Sequence, residues 1–294
     1  MTLFSPTTLY NYDTAVSRNL GFITNHEQSV LRHSHVAIAG AGGDGGMLAV
    51  QLARLGVGGI TLADPEDFEL ENVNRQAEAS MASLGQNKAE VVGAAIRQIA
   101  PEANVRVFRD GVTPSNVDEF FDGADLLLDE TEITTPDVAV MLARHARRLG
   151  ISNMTVLNIG FAGLATSFEP SGVTLEEVLG IDQAGCPVDV SRWLPYIPPY
   201  VSISTLQEFA AGERPAPTVA IGVSMAASVG AAQAMLHLLH AHGPSGRPKP
   251  VIARQALVID AMTARVSRLR MSRWTHRRHI AQIILRDRFR RPRY

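Results

Sequence analysis

Five glycines fall within seven residues, Gly40, Gly42, Gly43, Gly45 and Gly46, directly after the apolar run 36–39. A buried strand that breaks into such a run and continues as a helix can cradle phosphate. The glycines let the backbone turn tightly and approach an anion, and the helix N-terminus adds free N–H groups and positive dipole. Gly40-x-Gly42-x-x-Gly45 fits a dinucleotide fingerprint, which alone admits NAD, FAD or ATP. Asp64 lies 19 residues beyond Gly45, at the end of the apolar run 59–63. A carboxylate there accepts hydrogen bonds from ribose hydroxyls; the bland alternative is a turn-initiating Asp before Pro65. Asn72, Arg75 and Gln76 share one face of a helical turn by their spacing. Lys88 opens a predicted helix, an end that favours anions, so a nearby anionic ligand would suit it better than solvent.

A second set of acids, Asp129, Glu130 and Glu132, closes the apolar run 126–128. Carboxylates at that edge of a parallel sheet face its ligand crevice, and near phosphates they suggest Mg2+, against the alternative of a solvated acidic loop. Arg18 precedes the first predicted helix, and Cys186 is the only cysteine. Their ordinary readings are a surface charge and a loop thiol with no activating base in sight.

The elements that position these residues follow a β-α alternation. Strands are predicted over 36–39, 59–64, 105–108, 124–129 and 155–159, with helices after the first, second, third and fourth. The expected fold is α/β: a Rossmann-like, mostly parallel sheet with helices on both faces, an irregular Pro-rich excursion and a C-terminal antiparallel hairpin. The expected organisation is an N-terminal arm and helix (1–33), a nucleotide-binding half (34–161), an irregular substrate-side excursion (162–217), an interface helix with C-terminal strands (218–272) and a basic tail (273–294). Seven prolines from Pro170 to Pro217 break up the excursion. Residues 218–240 are apolar enough to span a bilayer, but Ser224, Ser228, Gln233 and His237 interrupt them, so a buried helix is expected and no membrane partner.

Composition narrows the classes. At 294 residues, 46% hydrophobic and 19% charged, the chain can bury an ordinary core. One cysteine excludes a disulfide framework and a Cys-rich zinc site, and the mixed polar start is unlike a secretory leader, so a cytoplasmic location is expected. The net charge of −2 conceals an asymmetry: eleven arginines and one acid lie from Ala264 onward, leaving −12 before it. The tail is read as a surface-docked helix striped by Ile280, Ile283 and Ile284, and a nucleic-acid partner is not expected.

Taken in order, these motifs resemble the ThiF/MoeB/HesA superfamily, related to ubiquitin-activating enzymes. The likeness covers residues 15–165 well and 218–262 loosely. It rests on the glycine turn, Asp64, Asn72-x-x-Arg75-Gln76, Lys88 after Gly85, Arg18, the Ile99-Ala100-Pro101 turn and the late apolar helix. The resemblance implies a homodimeric, MgATP-dependent adenylyltransferase. Such an enzyme activates a carboxylate, typically the C-terminus of a ubiquitin-like carrier protein or a peptide, as an acyl-adenylate. It implies that Gly40, Gly42, Gly43, Gly45 and Asp64 hold ATP, and that Asn72 and Gln76 orient its phosphates. Arg75, Lys88 and the partner subunit's Arg18 would stabilise the transition state. Glu132 stands where the family has a metal aspartate, and its extra methylene displaces the carboxylate by about 1.5 Å. No Cys-x-x-Cys pair occurs, so no zinc is expected. Cys186 lies where some relatives keep a thioester or persulfide cysteine, in a Gly-Cys-Pro setting unlike theirs.

Three other functions compete. An NAD(P)-dependent oxidoreductase satisfies the glycine fingerprint but has no use for Asn72, Arg75, Gln76 and Lys88. A non-catalytic dimeric scaffold that keeps the nucleotide pocket is favoured by Glu132 and Ile133. A dehydratase-type relative acting on a small-molecule or tRNA-linked carboxylate is favoured by the arginine tail.

Overall fold

A computed structural model describes residues 10–132, 136–181, 194–213, 215–243 and 246–290. Its centre is one eight-stranded sheet in the order β3-β2-β1-β4-β5-β6-β7-β8. The strands are β1 (His35–Ala39), β2 (Gly59–Ala63), β3 (Asn104–Phe108), β4 (Leu126–Asp129), β5 (Ser152–Ile159), β6 (Ala162–Phe168), β7 (Gln255–Asp260) and β8 (Arg265–Arg270). The first five run parallel, and β6, β7 and β8 add antiparallel. The chain leaves β1 towards β2 on one side and returns to β4 on the other, so a crevice opens at the C-terminal end of β1, where such sheets bind ligands.

The helices are α1 (Tyr12–Ala15), α2 (Asn25–His33), α3 (Gly43–Leu55), α4 (Lys88–Ile99), α5 (Val117–Phe120), α6 (Pro136–Leu149), α7 (Leu175–Leu179), α8 (Ile203–Ala210), α9 (Ala220–Ala241) and α10 (Arg273–Arg290). Alternation along the strands divides the core. Val36, Ile38, Leu126 and Leu128 pack with α3, α4 and α9, while Ala37, Ala39 and Leu127 pack with α5 and α6. Both faces are thus covered, which explains why these strands are continuous apolar runs. Local signals end the helices as expected: Thr24 and Glu27 form a capping box on α2, and Gly56 stops α3 with φ +90°.

The excursion expected to be irregular from residue 162 begins instead with a regular strand. All seven residues of β6 are buried. The run Ala-Gly-Leu-Ala-Thr-Ser-Phe has one β-branched residue, Thr166, and is otherwise mostly small because α9 presses on it: a Cβ on Gly163 would meet the Ala226 backbone nitrogen at 2.5 Å. Tertiary packing, not strand propensity, makes this strand. Further on, α7 is capped by Thr174 and Glu177. The apolar character of α9 is accounted for by its burial against β5, β6 and α3. Gly230 faces Val156, where a Cβ would approach to 2.7 Å. The hairpin β7–β8 forms as expected.

Candidate functional site

The glycine turn sits at the crevice and is pinned from below. Gly40, with φ +99°, donates its N–H to the Ala63 carbonyl (2.7 Å). A side chain at Gly40 would run into the Glu130 carbonyl, and one at Gly45 into the Gly40 carbonyl, so the turn closes only with glycine at both positions. Gly42 precedes α3 and no side chain caps it. The first turn of α3 therefore presents N–H groups of the kind that bind phosphate. A Cβ on Gly43 would meet Val223 of α9 at 3.4 Å, an ordinary contact.

Asp64 holds this turn to the end of β2. Its Oδ2 accepts from the Ala41 N–H (2.7 Å) and its Oδ1 from the Glu66 N–H (2.9 Å). Burial raises its pKa, opposed by these two bonds and by the charge of Lys88. Each oxygen keeps a lone pair for a further donor.

Lys88 is buried at the start of α4, its Nζ 2.5 Å from Glu66 Oε2. The solvated alternative is excluded. A buried ammonium needs a counter-charge, and Glu66, itself largely exposed, supplies it here.

Asn72, Arg75 and Gln76 come together on one helical turn, as their spacing predicts: the N–H groups of Arg75 and Gln76 both donate to the Asn72 carbonyl (3.1 and 2.9 Å). Asn72 is buried, with Oδ1 accepting from the Glu69 N–H. Arg75 donates through Nη1 to the Glu71 carbonyl and Asn74 Oδ1. Gln76 is buried beside Gly42, its amide 3.5 Å from where a Cβ on Gly42 would lie, and its Oε1 has no partner.

Two further side chains belong to the site: Asp44, to which the sequence assigns no role, and Glu130, expected there as a metal acid. Asp44, the second residue of α3, turns inward. Its Oδ2 accepts from the backbone N–H (2.9 Å) and the amide (2.8 Å) of Asn158 on β5, while Oδ1 is buried without a partner. Burial pushes its pKa up to about 6; the Asn158 donors and the charge of Arg75 pull it back. The visible signal was a lone acid inside the glycine turn. Asn158, 114 residues away, carried none. Glu130, taken in sequence as one of the acids of a metal site, also points inward, with Oε1 accepting from the Val156 N–H (2.9 Å). Burial first, then the negative Asp44, raise its carboxyl well above the usual range. Burial and a neighbouring acid both favour the neutral form of this carboxyl, which makes it a poorer metal ligand than an exposed carboxylate.

The remaining candidates are not gathered here. Arg18 is exposed on a turn beside the C-terminal end of α3: Asn19 donates to the Leu55 carbonyl and Tyr12 to the Gly56 carbonyl. The 13 residues of α3, roughly 20 Å of helix, separate it from the glycine turn of its own chain. Glu132 is exposed beyond β4. Cys186 and Ile133 lie outside the described residues. Among the described residues no three His, Cys, Asp or Glu side chains converge on a metal-sized site. Mg2+ commonly takes one or two carboxylates together with substrate phosphates, and Glu132 could supply one such ligand.

A model of the ThiF family matches residues 16–278. The tRNA threonylcarbamoyladenosine dehydratase of Escherichia coli K12 is 39% identical over 128 residues, which are 43% of this chain and 47% of that protein. The chain thus spans about half the length of the curated relatives it matches. Among solved structures, E. coli MccB with MccA-N7isoASN superposes with a TM-score of 0.67 at 18% identity, covering 90% of this chain and 73% of that one. E. coli MccB with ATP gives 0.63 at 18%, covering 84% and 67%. At that identity the two superpositions establish the fold alone.

Proposed function

This chain belongs to the ThiF family, and we propose that it uses ATP to convert a carboxylate into an acyl-adenylate. The reading is carried by one observation: hydrogen bonds tie the glycine turn, Asp64, Glu66 and the buried Lys88 together at the crevice, and the Asn72–Gln76 turn lies against Gly42 through Gln76. A substrate carboxylate oxygen attacks the α-phosphorus, the bond to the bridging oxygen breaks, and pyrophosphate leaves. Negative charge grows on the phosphate oxygens, so cations and N–H groups already in place lower the barrier. Arg75 and Lys88 are those cations, with Lys88 exchanging Glu66 for phosphate. Gly40, Gly42, Gly43 and Gly45 shape the cradle, Asn72 and Gln76 orient phosphates, and Asp64 takes the ribose. Mg2+ would arrive with the nucleotide and take Glu132 as its protein ligand, neutralising the leaving pyrophosphate.

The family resemblance assigns Arg18 to the partner's cradle in a homodimer, and its distance from its own cradle is compatible with that role. The proposed substrate is the C-terminus of a ubiquitin-like carrier protein or a peptide, in keeping with the MccB fold seen with MccA-N7isoASN. A carboxylate borne on tRNA is the second reading, favoured by the 39% identity to a protein named for tRNA threonylcarbamoyladenosine. Cys186 is retained as a candidate acyl acceptor after adenylylation, and the location as cytoplasmic. Exchange of labelled pyrophosphate into ATP tests the proposal, run with a carrier protein ending in Gly-Gly, a peptide acid and tRNA as alternative carboxylates. Exchange with one of the three supports it and names the substrate class; failure to bind ATP at all overturns it.

A further inference from the structure

Away from the cradle, the last strand and helix form a basic edge. Arg265, Arg268 and Arg270 on β8 and Arg277 and Arg278 on α10 are all exposed. No acid occurs between Asp260 and Asp287. Arginines elsewhere are neutralised, as in Arg144–Glu176, Arg148–Asp118 and Arg247–Glu27. Among the described residues no carboxylate lies within ion-pair distance of these five. Arg265 and Arg278 belong to one patch: both depress the pKa of His279, after burial as the first cause. The strand alternation turns Arg268 and Arg270 to the other face, so the positive charge wraps around the edge strand.

Arginine on an edge strand has a simpler use, blocking unwanted strand pairing. That use explains neither the arginines of α10 nor Trp274. This tryptophan is 69% exposed, and the Arg278 guanidinium stands 5.6 Å above its ring. The helix docks through its other side instead: Thr275, His279 and Ile283 are buried, and His279 Nδ1 accepts from the Ile197 N–H (3.3 Å). The docked stripe is therefore 275-279-283, which retains Ile283 of the three expected isoleucines, while Ile284 is 39% exposed.

We infer that the edge formed by β8 and the first turns of α10 binds single-stranded RNA, with arginines on the phosphates and Trp274 stacking a base. Unpaired positive charge selects a polyanion. The flat tryptophan–guanidinium platform selects bases over a bare polyanion, because every base offers a π face. The inference stands on charge and aromatic geometry and does not depend on the cradle adenylylating anything.

The test measures anisotropy of a labelled oligouridylate on the full chain without ATP, against heparin and phosphatidylglycerol vesicles. RNA binding should weaken roughly 10- to 100-fold between about 50 and 200 mM salt. Arg268→Glu with Arg277→Glu should lower RNA affinity at least tenfold. Trp274→Ala should lower it about 5- to 100-fold and leave heparin binding unchanged. These side chains are exposed, so melting temperatures should stay at the wild-type value; if the charge reversals disturb folding, the Trp274 comparison still decides. Equal loss of heparin and RNA binding in Trp274→Ala, vesicle capture as strong as RNA binding, or no RNA binding by the wild type would each overturn the inference.

Discussion

Replacing Asp44 with asparagine removes a buried negative charge at nearly constant shape. The folded-state pKa of Asp44, about 6, lies above its ordinary 3.8. As pH rises the unfolded chain therefore gives up this proton first. The contribution of Asp44 to stability is fully present below about 3.8 and is lost as pH climbs through about 6, an effect of about 3 kcal/mol at neutrality. Asp44→Asn should thus be more stable than wild type at pH 7, and the two should converge near pH 4. Thermal melts across that range check this, and parallel curves would contradict it. A residue's legibility in sequence followed the range of its contacts. Asp64 and Lys88 stood out because their residue types and spacing from the glycines are local facts. Asp44 did not stand out, and Glu130 stood out only as a metal acid, because what turns both inward is Asn158 and Val156 on a strand far along the chain.

At the scale of elements, the glycine turn is a steric device. A methyl at Gly45 would collide with the Gly40 carbonyl, a backbone atom that cannot swing aside. Gly45→Ala should destabilise the fold by at least about 2 kcal/mol and abolish ATP binding. At Gly85, φ is +75° with open space around it, so Gly85→Ala should cost only the left-handed backbone penalty of about 1–2 kcal/mol and retain ATP. Urea denaturation and nucleotide titration of both variants separate the two; equal losses would contradict the packing account. Elements bounded by caps and apolar runs, such as α3 with Gly56 or α2 with Thr24 and Glu27, were legible in sequence. The strand β6 was not, since its identity lies in α9 packed on it and its own residues are small and mixed.

At the scale of the whole molecule, the position of Arg18 makes a claim about assembly. If it completes the partner's cradle, Arg18→Ala and Lys88→Ala are each inactive alone. In a C2 dimer mixed from equal amounts, the Arg18→Ala subunit keeps its own Lys88 and receives Arg18 from its partner. About half the dimers are mixed and each has one sound site of two, so about a quarter of wild-type activity should return. Absence of recovery would contradict action across the dimer, and full activity of Arg18→Ala alone would place Arg18 outside the reaction. The central claim is that the cradle makes acyl-adenylates, and pyrophosphate exchange into ATP measures this most directly. Carboxylate-dependent exchange should occur in the wild type and fall at least about 100-fold in Arg75→Ala and Lys88→Ala, with folding intact. ATP binding without exchange for any carrier, peptide or tRNA carboxylate would contradict the claim and leave a nucleotide-binding scaffold.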